Sequence, residues 1–408
     1  MKNNYWIVDD WLIFKPKFNE ELTDYYDIIN QCKKIMFSNY DDLLILIETN
    51  NQYKYEYEKN YIKSEFNQEI DLLNNINLTY LTFGDDFNQE IDLSNNINLT
   101  HLTLRNRFNQ KIDLSNNINL TYLTFGENFN KKINLSNNIN LTHLTLRNRF
   151  NQKIDLSNNI NLTYLTFGCY FNQKIYLSKN INLTHLTFEN DFNQEIDLSN
   201  NINLTHLTFE WDFNQEIDLS NNINLTHLSF EGYFNQEIDL LNNVNLTYLT
   251  FGWCFNKKID LSNNINLTHL TFSYEFNQEI DLSNNINLTH LTFGWYFNQE
   301  IFIPLNIKSL SMFKCSYQYI IDNLHNNIED LIIRGSNLNL NNLPNSIKKL
   351  YINDYDEELN NLPNSIEYLE LKDYYLKIKK IPNNLKTIKC SKFYKYIDDF
   401  KDYEVITY

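Results

Sequence analysis

Apolar residues recur along this chain at a fixed interval of 21 residues, without insertion or deletion, through more than half of its length. One such coil, from Phe87 to Arg107, reads FNQEIDLSNNINLTHLTLRNR. Its apolar residues alternate with polar ones in two short stretches, which is the period of a β-strand, and no helical period persists. The seven apolar positions, all expected in the core, are Phe87, Ile91, Leu93, Ile97, Leu99, Leu102 and Leu104.

A period of this length is typical of a solenoid. Eleven full copies and a truncated one follow each other, and a single copy cannot bury its apolar face alone. Stacked copies can, because each coil covers its neighbours and pairs its backbone with theirs. The sequence therefore predicts a mainly β repeat solenoid of short parallel strands with little helix. The copies begin at Phe66, Phe87, Phe108, Phe129, Phe150, Phe171, Phe192, Phe213, Phe234, Phe255, Phe276 and Phe297.

Both ends of the chain depart from the 21-residue period. A segment reading LPNSIKKLYI at 343–352 recurs at 362 and 381, with a spacing of 19 residues. Residues 12–22 carry a degenerate copy of the repeat, and residues 23–36 have the spacing of a short amphipathic helix. We expect an N-terminal cap with degenerate coils at 1–65, 21-residue coils at 66–302, shorter coils at 303–390 and a C-terminal tail or cap at 391–408.

The repeated letters L-x-x-L-x-F-G-x-x-F-N-Q resemble the FNIP repeat, a leucine-rich-repeat-like module known chiefly from amoebae and the large DNA viruses that infect them. Here the element from which that name derives reads Phe-Asn-Gln-Glu-Ile or Phe-Asn-Lys-Lys-Ile, without the proline. The coils at 343–390 resemble ordinary leucine-rich repeats. The resemblance is strong over residues 66–390 and weak over residues 12–65. It implies that the repeats form a protein-interaction surface, in either a viral or a cellular protein.

Some members of that family carry an N-terminal F-box, which recruits a ubiquitin ligase. In this chain the repeat signature at 12–22 leaves only residues 23–65 before the first full coil, and no helical segment led by Leu-Pro lies there. The alternative function is nevertheless a substrate-recognition subunit whose ubiquitin-ligase adaptor contact lies within residues 1–60. Co-purification of a cullin adaptor would support it.

The composition further restricts the classes of partner that the chain is expected to bind. The net charge of −17 and the pI near 4.9 argue against nucleic acid and against an anionic membrane, since both require a basic surface. We see neither a signal peptide nor a membrane-spanning run. The five cysteines form no C-x-x-C pair, which predicts reduced thiols in an intracellular, cytoplasmic protein, or one of the host cytoplasm if the chain is viral.

Two columns of repeated polar residues are candidates for metal chemistry. Three consecutive histidines, His185, His206 and His227, would stack roughly 5 Å apart, close enough for a metal to bridge. A surface ladder of His and Tyr is favoured instead, as is a solvated acidic edge for the aspartates, which lack the glycine-rich calcium-binding repeat. Repeated Ser and Thr lack the asymmetry of a catalytic triad. We therefore expect no enzyme, metal or cofactor. The repeated histidines are His101, His143, His185, His206, His227, His269 and His290, and the aspartates are Asp71, Asp92, Asp113, Asp155, Asp197, Asp218, Asp239, Asp260 and Asp281.

The copies differ chiefly in the three residues after each Leu-x-Phe, a set that we call the post-strand rim. In a solenoid the constant positions maintain the fold, so variable positions are candidates for recognition. Arg, Trp and Tyr, which dominate interface energies, collect there. The hypothesis is a protein-binding rim with a basic end and an aromatic end. Its candidate residues are Arg105, Arg107, Arg147, Arg149, Trp211, Tyr233, Trp253, Tyr274, Trp295 and Tyr296.

The variation along the rim is equally consistent with two origins that do not involve binding. Residues 101–126 and 143–168 are identical, so the arginines can reflect a duplication. The switches between Glu and Lys after Phe-Asn-Gln can also relieve repulsion within the aspartate column.

Overall fold

A computed structural model describes residues 4–39, 62–313, 318–335 and 338–408. The chain forms two compact units, Met1–Glu210 and Trp211–Tyr408, which are called unit 1 and unit 2 below. Residues 40–61, within which part of the proposed adaptor contact and of the N-terminal cap falls, and Cys315 lie outside the described residues.

Unit 1 is built from short strands that follow each other in chain order. The first pair is antiparallel, and the later pairings of described strands within the unit are parallel. A single 3-10 turn, Thr23–Tyr25, leads into the helix α1, Tyr26–Ile29. The strands are β1 (Tyr5–Val8), β2 (Trp11–Phe14), β3 (Lys34–Phe37), β4 (Tyr80–Phe83), β5 (His101–Leu104), β6 (Tyr122–Phe125), β7 (His143–Leu146), β8 (Tyr164–Phe167), β9 (His185–Phe188) and β10 (His206–Phe209).

Unit 2 repeats this architecture with parallel neighbours throughout. Its helices are α2 (Gln318–Asp322) and the 3-10 turn Ile397–Phe400. The strands are β11 (His227–Phe230), β12 (Tyr248–Phe251), β13 (His269–Phe272), β14 (His290–Phe293), β15 (Ser309–Phe313), β16 (Asp330–Arg334), β17 (Lys349–Asn353), β18 (Tyr368–Lys372), β19 (Thr387–Cys390) and β20 (Glu404–Thr407).

The register places each residue beside its copy in the next coil. Leu102 of β5 pairs with Leu123 of β6, and the phenylalanine that starts each coil stacks on the next one. The rings of Phe87 and Phe108 are 6.1 Å apart and inclined by 3°. Because these columns of Leu and Phe are buried, they form a continuous core within each unit. The prediction of a mainly β, leucine-rich-repeat-like solenoid with little helix is confirmed.

A buried column of asparagines ties the turns of successive coils together. The Nδ2 of Asn138 donates to the carbonyl oxygens of Leu114 and Asn117, both at 2.9 Å. These carbonyls lie inside the turn, where water cannot reach them, so the amide supplies hydrogen bonds that the strand ladder does not. The same position is buried in every 21-residue coil: Asn75, Asn96, Asn117, Asn138, Asn159, Asn180, Asn201, Asn222, Asn243, Asn264 and Asn285.

Two expectations from the sequence were wrong. Ile97 does not join the core but is 52% exposed, as are its counterparts in the other coils to a similar degree. The buried amide of Asn96 occupies the inner side of this turn, so the next side chain points outward. The helix expected over residues 23–36 extends only over Tyr26–Ile29, because Lys34–Phe37 pairs with β2 as strand β3.

Replacing Asn138 by Asp tests the buried asparagine column. The carboxylate would face two carbonyl oxygens without a proton to donate, so we expect a loss of about 3 kcal/mol in the free energy of unfolding. Urea titration followed by circular dichroism measures it. Asn137→Asp is the matched control, since Asn137 is exposed and its amide donates to the Ser115 carbonyl at the surface. Equal losses for the two variants would contradict this role.

Candidate functional site

The post-strand rim is a hydrogen-bonded continuation of the sheet. In unit 2 the backbone N–H of Ser273 donates to the carbonyl of Phe251 at 2.9 Å, one residue past the strand. Two residues later, Glu275 N–H donates to Trp253 O at 2.9 Å, and Tyr296 N–H donates to Tyr274 O at 3.0 Å. The rim side chains therefore project from a backbone whose register is set coil by coil.

Glycines of the rim lie where one coil approaches the backbone of the coil before it. A Cβ at Gly252 would overlap the backbone carbonyl of Glu231, and a Cβ at Gly232 would overlap that of Trp211. Gly232 also occupies the position between Trp211 and Trp253 in adjacent coils. Since it has no side chain, the two indole rings approach to 6.2 Å between centroids.

Six aromatic side chains of unit 2 form one connected cluster, which we call the aromatic rim. Trp253 stacks on Tyr274 at 4.8 Å, and Tyr274 contacts Trp295 at 5.6 Å. Tyr233 makes an edge contact with Trp211, with 6.4 Å between the ring centroids. Tyr296 makes an edge contact with Tyr274 at 5.2 Å. The members are Trp211, Tyr233, Trp253, Tyr274, Trp295 and Tyr296, all of them residues that the sequence proposed.

The aromatic rim is accessible from solvent. Trp211 is 41% exposed, Trp253 49% and Tyr296 53%. A contiguous patch of this kind differs from single exposed apolar residues, and it is a candidate binding surface. The thiol of Cys254 lies in the same turns, and burial together with the negative charge of Glu275 raises its pKa, so it stays protonated at neutral pH.

The four proposed arginines lie in unit 1 and form a second group, the arginine rim: Arg105, Arg107, Arg147 and Arg149. Arg107 pairs with Asp86 at 3.2 Å between Nε and Oδ1, and Lys63 contacts the same oxygen at 3.0 Å. Arg147 and Arg149 are exposed. The structure thus joins the aromatic candidates of unit 2 into one cluster, whereas the arginines of unit 1 lie in two coils that are separated by the coil 108–128.

The histidine column is a stack of rings, and each histidine ring that follows a threonine hydroxyl is positioned by a hydrogen bond with it. The hydroxyl of Thr268 donates to the carbonyl of Thr247 at 3.0 Å and lies 2.9 Å from Nδ1 of His269. Since the hydroxyl has one proton, that contact makes Nδ1 the donor. Burial, with a contribution from His290, lowers the pKa of His269, so the ring is neutral at pH 7. Among the described residues no group of three or more His, Cys, Asp or Glu is placed to hold a metal ion.

The aspartate column closes turns. Oδ1 of Asp92 accepts the backbone N–H of Ser94 at 2.9 Å, and this hydrogen bond lowers the pKa of the Asp92 carboxyl. Asn134 replaces the aspartate in one coil and accepts Ser136 N–H in the same way at 3.0 Å. An acceptor oxygen at this position therefore closes the turn without a charge, and the coil that carries Tyr176 there lacks this side-chain acceptor.

Unit 2 also contains a groove of about 630 Å³ that the sequence did not predict. It is lined by residues that precede strands β14 to β19, and lysine and glutamate alternate from coil to coil just before strands β15 to β19. Lys348 pairs with Glu329 at 2.8 Å, and Lys386 pairs with Glu367 at 2.6 Å. The alternation was visible at the 19-residue spacing. Because these lysines and glutamates pair with each other, the groove has fewer unpaired groups for binding a partner than the aromatic rim has.

The model of one repeat family, the FNIP Repeat, matches residues 335–374. This segment is similar to the FNIP repeat. The matched segment includes β17 and β18 and holds Asn342-Leu343-Pro344 and Asn361-Leu362-Pro363, which are close to the Asn-Ile-Pro of the repeat's name. By sequence these coils resemble ordinary leucine-rich repeats. The 21-residue coils at 66–302 lack that proline. Their assignment to the FNIP repeat stays a prediction.

Solved structures similar to this chain include leucine-rich-repeat (LRR) proteins. CroV588, a circular LRR protein from a giant virus, is 28% identical with a TM-score of 0.51, over 96% of this chain and 77% of that one. The functional domain of InlJ from Listeria monocytogenes is 22% identical, with a TM-score of 0.56 over 80% of this chain and 72% of that one. An LRR protein of Leptospira interrogans is 17% identical, with a TM-score of 0.55 over 83% and 92%.

A comparison with curated proteins found no match. Among the residues that the structure describes, no helix has both the length and the apolar character needed to span a bilayer.

The aspartate column predicts a loss of stability in acid. A carboxyl whose pKa is lowered by folding stabilises the protein above its unfolded pKa, about 4, and loses that contribution as the pH falls through the folded value. Replacing Asp92, Asp113, Asp155 and Asp197 by Asn keeps the acceptor, as Asn134 does, and removes the titration.

The melting temperature of this variant should fall less than that of the natural chain between about pH 5 and pH 2.5. Glu90→Gln with Glu195→Gln removes neighbouring carboxylates that cap no turn, and this control should leave most of the acid sensitivity in place. If the melting temperatures of the natural chain and the aspartate variant fell equally with pH, the aspartates would not be the source of the acid sensitivity.

Gly252→Ala tests the close approach of coils beneath the aromatic rim. The added Cβ would displace the Glu231 backbone, and we expect about 1–3 kcal/mol of destabilisation, read as a lower melting temperature. Ser273→Ala, at the same position of the next coil, should have little effect. A neutral Gly252→Ala would show that the turns are not packed as described.

Proposed function

We propose that this chain is a non-enzymatic protein-interaction scaffold that binds a partner protein along its post-strand rim. Leucine-rich-repeat-like folds commonly act as such scaffolds. The single observation that carries the proposal is the aromatic rim of unit 2, where six aromatic side chains connect through ring contacts on the surface.

The energetics of an interface favour this surface over the rest of the molecule. Trp and Tyr contribute much of the energy of protein interfaces and lose little side-chain entropy on binding. Their backbone is already ordered by coil-to-coil hydrogen bonds, as between Tyr233 N–H and Trp211 O at 2.6 Å. A partner therefore meets a preorganised surface, and little ordering opposes the association.

The arginine rim is proposed as a second contact surface. Arg147 and Arg149 are exposed and project from turns held by the same kind of hydrogen bond, Arg149 N–H to Glu127 O at 2.9 Å. Arginine is enriched at interfaces because its guanidinium binds carboxylates in a bidentate way. An acidic surface on the partner fits these residues.

Affinity purification with an aromatic-rim variant tests the proposal. The triple change Trp211→Ser, Trp253→Ser and Trp295→Ser should abolish or strongly reduce capture of the partner from the native host, because removing an interface tryptophan typically costs about 2 kcal/mol or more. The captured proteins are compared by mass spectrometry with those of the natural chain.

Tyr176→Ser is the matched control, since Tyr176 is 72% exposed but lies at the aspartate position, outside the rim. It should retain the partner. Circular dichroism confirms that each variant is folded. Unchanged capture by a folded triple variant would end the proposal that the aromatic rim binds the partner.

A further inference from the structure

The two tryptophans outside the aromatic rim each lie beneath a cation of the same chain. Lys15 Nζ is 4.9 Å from the ring centroid of Trp6, and Lys34 Nζ is 5.6 Å from that of Trp11. Within the described ranges, no lysine or arginine covers Trp211 or Trp253 in this way. The exposed indole faces of Trp211 and Trp253 therefore carry the negative potential of an aromatic ring without a cation from the described part of the chain.

Carboxylates accompany these rings. Asp212 follows Trp211 in the chain, and Glu275 lies beside Trp253 because its backbone N–H donates to the Trp253 carbonyl. Glu231 begins the turn between them, and its Oε1 accepts the Ser229 hydroxyl at 3.2 Å. In the described part of the chain, none of these three carboxylates takes part in an ion pair.

An aromatic face flanked by unpaired carboxylates is selective for a cation. The ring quadrupole attracts a positive charge at its face, and a carboxylate in reach adds a charge-assisted hydrogen bond. A neutral apolar partner would bury the carboxylates without compensation, and a phosphate would be repelled by them. The net charge of −17 also favours encounter with a basic segment.

We propose that the aromatic rim recognises arginine side chains on an extended basic segment of the partner protein, with Asp212, Glu231 and Glu275 as the counter-ions. This inference rests on the proposed function and names the chemistry of its partner. Arginine suits the site better than lysine because its planar guanidinium stacks on a ring while its N–H groups reach a carboxylate.

A pair of synthetic peptides tests the cation directly. One alternates glycine with arginine, and the other replaces each arginine by citrulline, which has nearly the same shape and no charge. Three of the five tryptophans lie in the aromatic rim, so intrinsic fluorescence and calorimetry both report binding to the full chain. We expect the arginine peptide to bind more tightly by about two- to fivefold for each arginine engaged.

Variants of the chain separate the rings from the carboxylates. Trp253→Ser should weaken the arginine peptide by at least twofold, and Asp212→Asn with Glu231→Gln and Glu275→Gln should weaken it and flatten its dependence on salt. Glu237→Gln, an exposed carboxylate outside the rim, and Tyr176→Ser are the controls and should leave the affinity unchanged.

Equal affinity for the arginine and citrulline peptides would overturn this inference. If the triple tryptophan variant nevertheless loses its partner, the proposed function stands without it. A second copy of the chain could also supply arginines, from Arg147 and Arg149. Self-association in sedimentation velocity that is lost in both Trp253→Ser and Arg147→Gln/Arg149→Gln would show that source and overturn the assignment to a separate partner.

Discussion

The in-register stacking of coils is the constraint on which the rest of this structure depends. Each parallel strand places a residue beside its own copy, so a side chain is acceptable only if it tolerates an identical neighbour. Phe rings meet this condition by stacking, and the Asn138 amide meets it by donating to the carbonyl of Asn117, the preceding member of its own column. The column is held by the Nδ2 donors, since Oδ1 of Asn138 has no hydrogen-bond partner among the described residues.

Columns of like charge meet the same condition less well, because identical charges repel one another. They lie at the surface of the molecule. The aspartates repel one another along the column, yet each is retained because its oxygen closes a turn, as Asp92 does for Ser94. Asn134 and Tyr176 interrupt the column. In the shorter coils of unit 2, Lys and Glu alternate instead, so that Lys348 meets Glu329 in place of another lysine.

The post-strand rim escapes this restriction because its side chains point away from the core. Its backbone remains in register through hydrogen bonds, while the side chains are free to differ from coil to coil. This combination of an ordered backbone and variable side chains is what a binding surface needs. It also explains why the glycines occur there: Gly232 permits the close backbone approach and the contact between Trp211 and Trp253.

The sequence by itself determined the solenoid, the parallel strands and the composition of each column, because a period without insertions leaves only one way to stack the copies. It also identified the rim residues from their variability. Only the tertiary structure decided which way single side chains point and which residues meet. Ile97 is apolar but faces solvent because Asn96 takes the inner position. Trp211 and Trp253, 42 residues apart, come into contact because the residue between their coils is glycine, which periodicity alone cannot predict.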